Sequence, residues 1–152
     1  MHLTLSIALV VGLVASSAPA QEIALPADYD PTLYTNPEAV DRGRALYDAN
    51  CASCHGARLE GQEDWRAPSP VTGRRPAPPH SAEGHTWHHS DLQNWAVTKF
   101  GLAALVGNGY ESDMLAFGDV LSDAEILDIL AYIKSTWPDE IIRQHDAMMA
   151  GR

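Results

Sequence analysis

The chain has 152 residues, twenty of them acidic and ten basic, for a formal net charge of −10. That excess excludes nucleic acid and anionic lipid as partners and favours partners that present a basic docking face. Once the first twenty residues are set aside, the remainder is one domain's worth of chain, enough to bury one modest core.

Leu3 to Val14 forms an apolar run too short to span a bilayer, and it leads into Ala15-Ser16-Ser17-Ala18-Pro19-Ala20. This is the pattern of a secretory signal with an A-x-A site, so cleavage is expected near Ala20, leaving an exported, periplasmic chain. No other stretch approaches the roughly 20 apolar residues that a spanning helix needs, so no membrane span is expected in the mature form. None of the charged residues lies in the signal.

Residues 21–36 lack clear periodicity and read as an N-terminal arm. Asn36-Pro37-Glu38 then has the form of an N-cap, a proline in the first helical position and an acid in the first turn. Val40, Gly43 and Tyr47 recur at helical spacing, which predicts a helix over 37–50 that runs into Cys51-Ala52-Ser53-Cys54-His55.

C-x-x-C-H is the pattern for covalent haem attachment. Two thiols add to the two vinyl groups on one edge of the porphyrin, and the adjacent imidazole reaches the iron from one face. A thioredoxin-like pair would follow a strand, whereas a helical pattern precedes this one. A four-ligand zinc site would need a second ligand pair, and the chain has two cysteines in all. The expected cofactor is one haem c, bound through Cys51, Cys54 and His55.

From Gly56 to His89 the composition, rich in proline, glycine and polar residues, predicts a long loop wrapped around a fixed object. It holds His80, His85, His88 and His89 within ten residues, a tract that suits copper. Adjacent His88 and His89 point different ways in any regular backbone, so they do not make a preformed site by themselves.

Ser90-Asp91-Leu92-Gln93 reads as a capping box opening a helix over 91–100, with Leu92, Trp95, Ala96 and Phe100 on one face and a Leu/Ala-rich turn after Gly101. A second box, Ser122-Asp123-Ala124-Glu125, carries the Leu121/Ile126 pair of a hydrophobic staple. Ile126, Leu130, Ile133 and Trp137 follow as one apolar stripe. Pro138-Asp139-Glu140 starts a short tail helix within residues 138–152.

An iron held by one histidine has a sixth position, for which Met114, Met148, Met149, His80, His85, His88, His89 and His145 are candidates. Over residues 37–137 the chain resembles the class I monohaem cytochromes c. The shared features are a first helix with Gly43 and Tyr47, C-x-x-C-H, a proline-bearing loop, a middle helix, a methionine loop, and a last helix with Leu130-Ala131-Tyr132-Ile133. The resemblance implies an all-α cytochrome c fold with three main helices and long loops, in which Gly43 lies where the first and last helices cross. It implies Met114 as the second iron ligand, with Leu115 where that family usually has proline. It also implies a proline carbonyl against the outer nitrogen of His55. Pro68 has a suitable spacing, and Pro70, Pro76 and Pro78 compete. Arg74, Arg75, Trp87 and Trp95 are candidates for contacts with propionates or the porphyrin edge.

The function this predicts is one-electron transfer between redox proteins, with no enzymatic step. Two alternatives are a haem enzyme or sensor with a displaceable sixth ligand, and an accessory protein that binds copper at the His80–His89 cluster.

Overall fold

The computed structural model describes residues 22–151. The expected signal segment and its expected cleavage site near Ala20 lie outside them. The described residues contain six α-helices and no strand: α1 (Pro37–Asn50), α2 (Ala52–His55), α3 (Asp91–Phe100), α4 (Leu102–Val106), α5 (Asp123–Ser135) and α6 (Asp139–Ala150). Single 3₁₀ turns stand at Leu33–Thr35 and Thr86–His88. None of these helices is long and apolar enough to cross a membrane.

The helices start where side chains satisfy the first free amides. The Asn36 side chain accepts from the amides of Glu38 and Ala39 at the head of α1. Ser122 and Glu125 close a complete reciprocal capping box at α5, whereas at α3 only the serine side forms, Ser90 accepting from the Gln93 amide. The Leu/Ala-rich segment expected as a turn is helical instead, because Gly101 and Gly107, with φ of 79° and 67°, let the chain enter and leave one short turn of helix.

α1 crosses α5 at the centre of the core. A Cβ on Gly43 would stand 1.9 Å from the Asp128 carbonyl oxygen, so only glycine permits this approach. The buried stripe of α1 is Ala39, Gly43 and Tyr47, with Val40 only half-buried at its flank. α5 is covered on more sides than a single stripe implies: Ile126, Leu127, Ile129, Ala131 and Ile133 are buried, and so are Asp128 and Lys134. These two charges have partners. Arg42 Nε donates to Asp128 at 2.8 Å, and Lys134 Nζ donates to Asp146 of α6 at 2.6 Å.

The arm and the tail both dock. Leu25, Tyr29 and Leu33 pack on the core, and the Tyr29 hydroxyl donates to Asp91 at 2.5 Å. His145 of α6 is buried against Trp137, and its Nε2 donates to the His89 carbonyl at 3.2 Å. Trp137 Nε1 in turn donates to the His80 carbonyl at 2.8 Å. The C-terminal segment thereby braces the long loop that returns toward the C-x-x-C-H turn.

Candidate functional site

Cys51 ends α1 and begins α2: its amide donates to the Tyr47 carbonyl at 2.8 Å, and its own carbonyl accepts from Cys54 and His55 at 3.1 and 2.9 Å. The two cysteines and His55 are therefore presented by one tight turn. The Tyr47 hydroxyl reaches across to the Gly56 carbonyl at 2.9 Å and fastens the end of that turn to α1. Gly56 has a φ of 81°, which turns the chain out of α2.

Both thiols are free, Cys54 exposed and Cys51 partly covered. Burial pushes the Cys51 thiol up to about 11, with Cys54 adding to the shift, so it stays protonated at neutral pH. His55 is buried, and its Nδ1 lies 2.8 Å from the Pro78 carbonyl oxygen. A carbonyl only accepts, so Nδ1 carries the proton and Nε2 keeps its lone pair for a metal. Burial holds the imidazole below its ordinary range, partly offset by the Pro78 bond, and keeps it in the neutral form a ligand requires. Among the four prolines that compete on spacing, Pro78 is the one at the ring. Spacing alone could not choose it, because residues 56–77 double back before reaching His55: the Gln62 amide donates to the Ala77 carbonyl at 2.9 Å.

Sequence reasoning placed His80 among the iron-ligand and copper candidates but did not foresee its contact with His55. His80 stacks on His55 with ring centroids 4.1 Å apart, and its Nδ1 is 2.8 Å from Thr86 Oγ1. Burial, reinforced by the nearby His55 and His85, pushes it well below its ordinary range, so it packs as a neutral ring. Its position directly after Pro78-Pro79 was the available signal.

The histidine tract is divided. His80 faces His55, His88 stacks on Trp87 at 3.6 Å, and His85 and His89 meet with their nitrogens 2.9 Å apart. His85 also stacks on Trp65, and Arg66 and Arg75 add positive charge around it. Among the described residues no three histidine, cysteine or carboxylate side chains converge on a metal-sized space, so a copper site at His80–His89 has no support in the fold.

Met114 sits in the loop between α4 and α5, half-buried, its amide donating to Ser112 Oγ at 3.1 Å. Asp113 beside it is bridged by Arg74 Nη1 at 2.6 Å, and Glu111 by Arg74 Nη2 at 3.5 Å. Met148 and Met149 lie on α6. His145, also on α6, is held by the His89 carbonyl, which withdraws it from the ligand candidates.

The donor set fits a covalently held haem bearing carboxylates. It offers two free thiols on one turn, an oriented neutral imidazole, and two buried N–H groups, Trp95 Nε1 and Arg74 Nε, that have no acceptor among the described residues. Trp87 and Arg75, named with them as candidates for propionate or porphyrin-edge contacts, donate to the backbone carbonyls of Ala82 and Arg66.

Comparison with known proteins agrees with this chemistry. The family model described as cytochrome c matches residues 40–137, from within α1 to Trp137 just past the C-cap of α5, leaving the arm and α6 outside. A relative, the cbb3-type cytochrome c oxidase subunit FixP of Azorhizobium caulinodans, is 27% identical over 104 residues, which cover 66% of this chain and 31% of that protein. The chain thus spans under a third of that relative's length. No solved structure matches it at a significant level.

Proposed function

This chain belongs to the cytochrome c family, and from that premise we propose that it is an exported one-electron carrier whose haem iron is held by His55 and Met114. When bound, haem c supplies a reversible one-electron change at its iron. The chain's own residues do the rest. Cys51 and Cys54 bind the cofactor covalently, and the Pro78 carbonyl sets the His55 ring and raises its basicity. Tyr47, Leu59 and Trp95 belong to the buried cluster that excludes water around this turn. Met114 as the second ligand would favour the ferrous iron and would leave no position for a reacting molecule, which is why electron transfer without bond-making is the reading we favour.

The observation that carries the proposal is the 2.8 Å contact between His55 Nδ1 and the Pro78 carbonyl, since it prepares Nε2 as a metal ligand in the C-x-x-C-H turn. The net charge of −10 supports partners with a basic docking face. The similarity to a cbb3-type cytochrome c oxidase subunit supports an electron route associated with an oxidase.

The test is the optical spectrum of the purified ferric and ferrous protein beside Met114→Ala. We expect a low-spin ferric spectrum with the weak red band of methionine ligation. The variant should lose that band, and its reduction potential should fall by on the order of 0.1 V. A high-spin wild type that binds carbon monoxide rapidly when reduced would instead make this a haem enzyme or sensor with a displaceable ligand.

A further inference from the structure

The loop that carries Met114 is poorly tied by its own backbone. Upstream, the Tyr110 amide donates to Gly107 within the preceding turn. Downstream, the amides of Phe117 and Gly118 donate to Thr98 and Lys99 of α3 at 3.0 and 2.9 Å. Between these anchors, residues 111–116 make no backbone hydrogen bond to another segment among the described residues. The Ser112–Met114 bond is internal to the loop, and no proline stiffens it. The cross-chain polar tie is Arg74, whose two terminal nitrogens reach Asp113 and Glu111 across 39 and 37 residues of sequence.

Arg74 is itself firmly placed. It closes a turn in which the Ser69 amide donates to the Arg74 carbonyl and the Gly73 amide to the Ser69 carbonyl, both at 2.8 Å. Ser69 Oγ accepts from the amides of Val71 and Thr72, and Thr72 Oγ1 accepts from the Arg74 amide at 3.2 Å. Gly73, with a φ of 71°, permits the turn. The guanidinium is a rigid planar fork, so two carboxylates on one loop can be held with little further loss of freedom. Arg74 also lies four residues before Pro78, whose carbonyl orients His55, so a single loop touches both sides of the proposed iron site.

We propose that Arg74 is a positioning residue for the second iron ligand: by gripping Asp113 and Glu111 it holds the Met114 loop closed over the iron. The proposal rests on Met114 being that ligand. An exposed ion pair adds little to global stability, but loop opening is a local equilibrium in which a small shift is directly visible. A molecule that takes the iron only when methionine leaves reports the open population, because its apparent affinity scales with that fraction.

The experiment is an imidazole titration of the ferric holoprotein, following loss of the red methionine band. We expect Arg74→Ala to bind imidazole roughly two- to fivefold more tightly than wild type, the range an exposed ion pair allows. Asp113→Asn should do the same should the arginine variant fold poorly. The charge-swapped pair Arg74→Asp/Asp113→Arg should return the affinity toward wild type. High salt should move wild type toward Arg74→Ala and leave that variant unmoved. Equal affinities in wild type, Arg74→Ala and Asp113→Asn, with the red band present in all three, would overturn the clamp and leave Met114 as the ligand. A wild type without the band, or a band that survives Met114→Ala, would overturn both readings.

Discussion

The two sides of the site are built by different physics. On the cysteine side, α1, α2 and α5 interlock through buried residues: Gly43 admits the α5 backbone, Tyr47 holds the end of the C-x-x-C-H turn, and Pro78 holds His55. On the methionine side, an irregular loop is held at its middle by exposed charges, with Asp113 and Glu111 more than half exposed. The first arrangement is stabilised by close packing, which tolerates little change. The second is stabilised by screened electrostatics, which tolerates a great deal. Rigidity is concentrated at the C-x-x-C-H turn, and freedom is left in the loop that carries Met114.

The sharpest way to break this contrast is at the helix crossing. Alanine at Gly43 gains about 1 kcal/mol of helix propensity, but its methyl meets a backbone carbonyl that cannot rotate away. Overpacking therefore wins, and Gly43→Ala should lower stability by about 3 kcal/mol in denaturant unfolding of the holoprotein. A variant as stable as wild type would mean that the crossing is not the rigid element.

Next in size is Tyr47→Phe, which leaves the half-buried Gly56 carbonyl without its donor. A loss of about 1–2 kcal/mol is expected, with the ferric spectrum unchanged because the imidazole keeps its Pro78 contact. Arg42→Ala removes a two-pronged partner from the buried Asp128 carboxylate, at 2.8 and 3.1 Å. Because the Arg42 side chain is 57% exposed, water takes over part of its role, and the expected loss is about 1 kcal/mol. The smallest effect on unfolding belongs to Arg74→Ala, less than about 0.5 kcal/mol, even as imidazole affinity rises. Comparable losses from Arg42→Ala and Arg74→Ala would erase the distinction between the two sides.

Much of this was legible residue by residue. Asn36-Pro37, Ser90 and Ser122 predict the starts of α1, α3 and α5, because a cap is a local bargain between a side chain and amides two or three residues away. C-x-x-C-H carries its chemistry in five consecutive residues for the same reason. Single-stripe readings were less complete. They missed Leu127, Ile129 and Ala131 in the buried surface of α5, because periodicity records one apolar face whereas α5 is enclosed by α1, α3 and the arm.

What the sequence by itself determined was therefore the main helices α1, α3 and α5, the all-α class and the attachment chemistry of Cys51, Cys54 and His55. Only the tertiary structure decided which proline faces His55, that His80 stacks on it, that the histidine tract divides, and that Arg74 reaches the methionine loop. Each of these pairs residues separated by many positions through irregular chain. Loops carry no period, so their side chains find partners through the path of the folded backbone, and spacing along the chain does not encode that path.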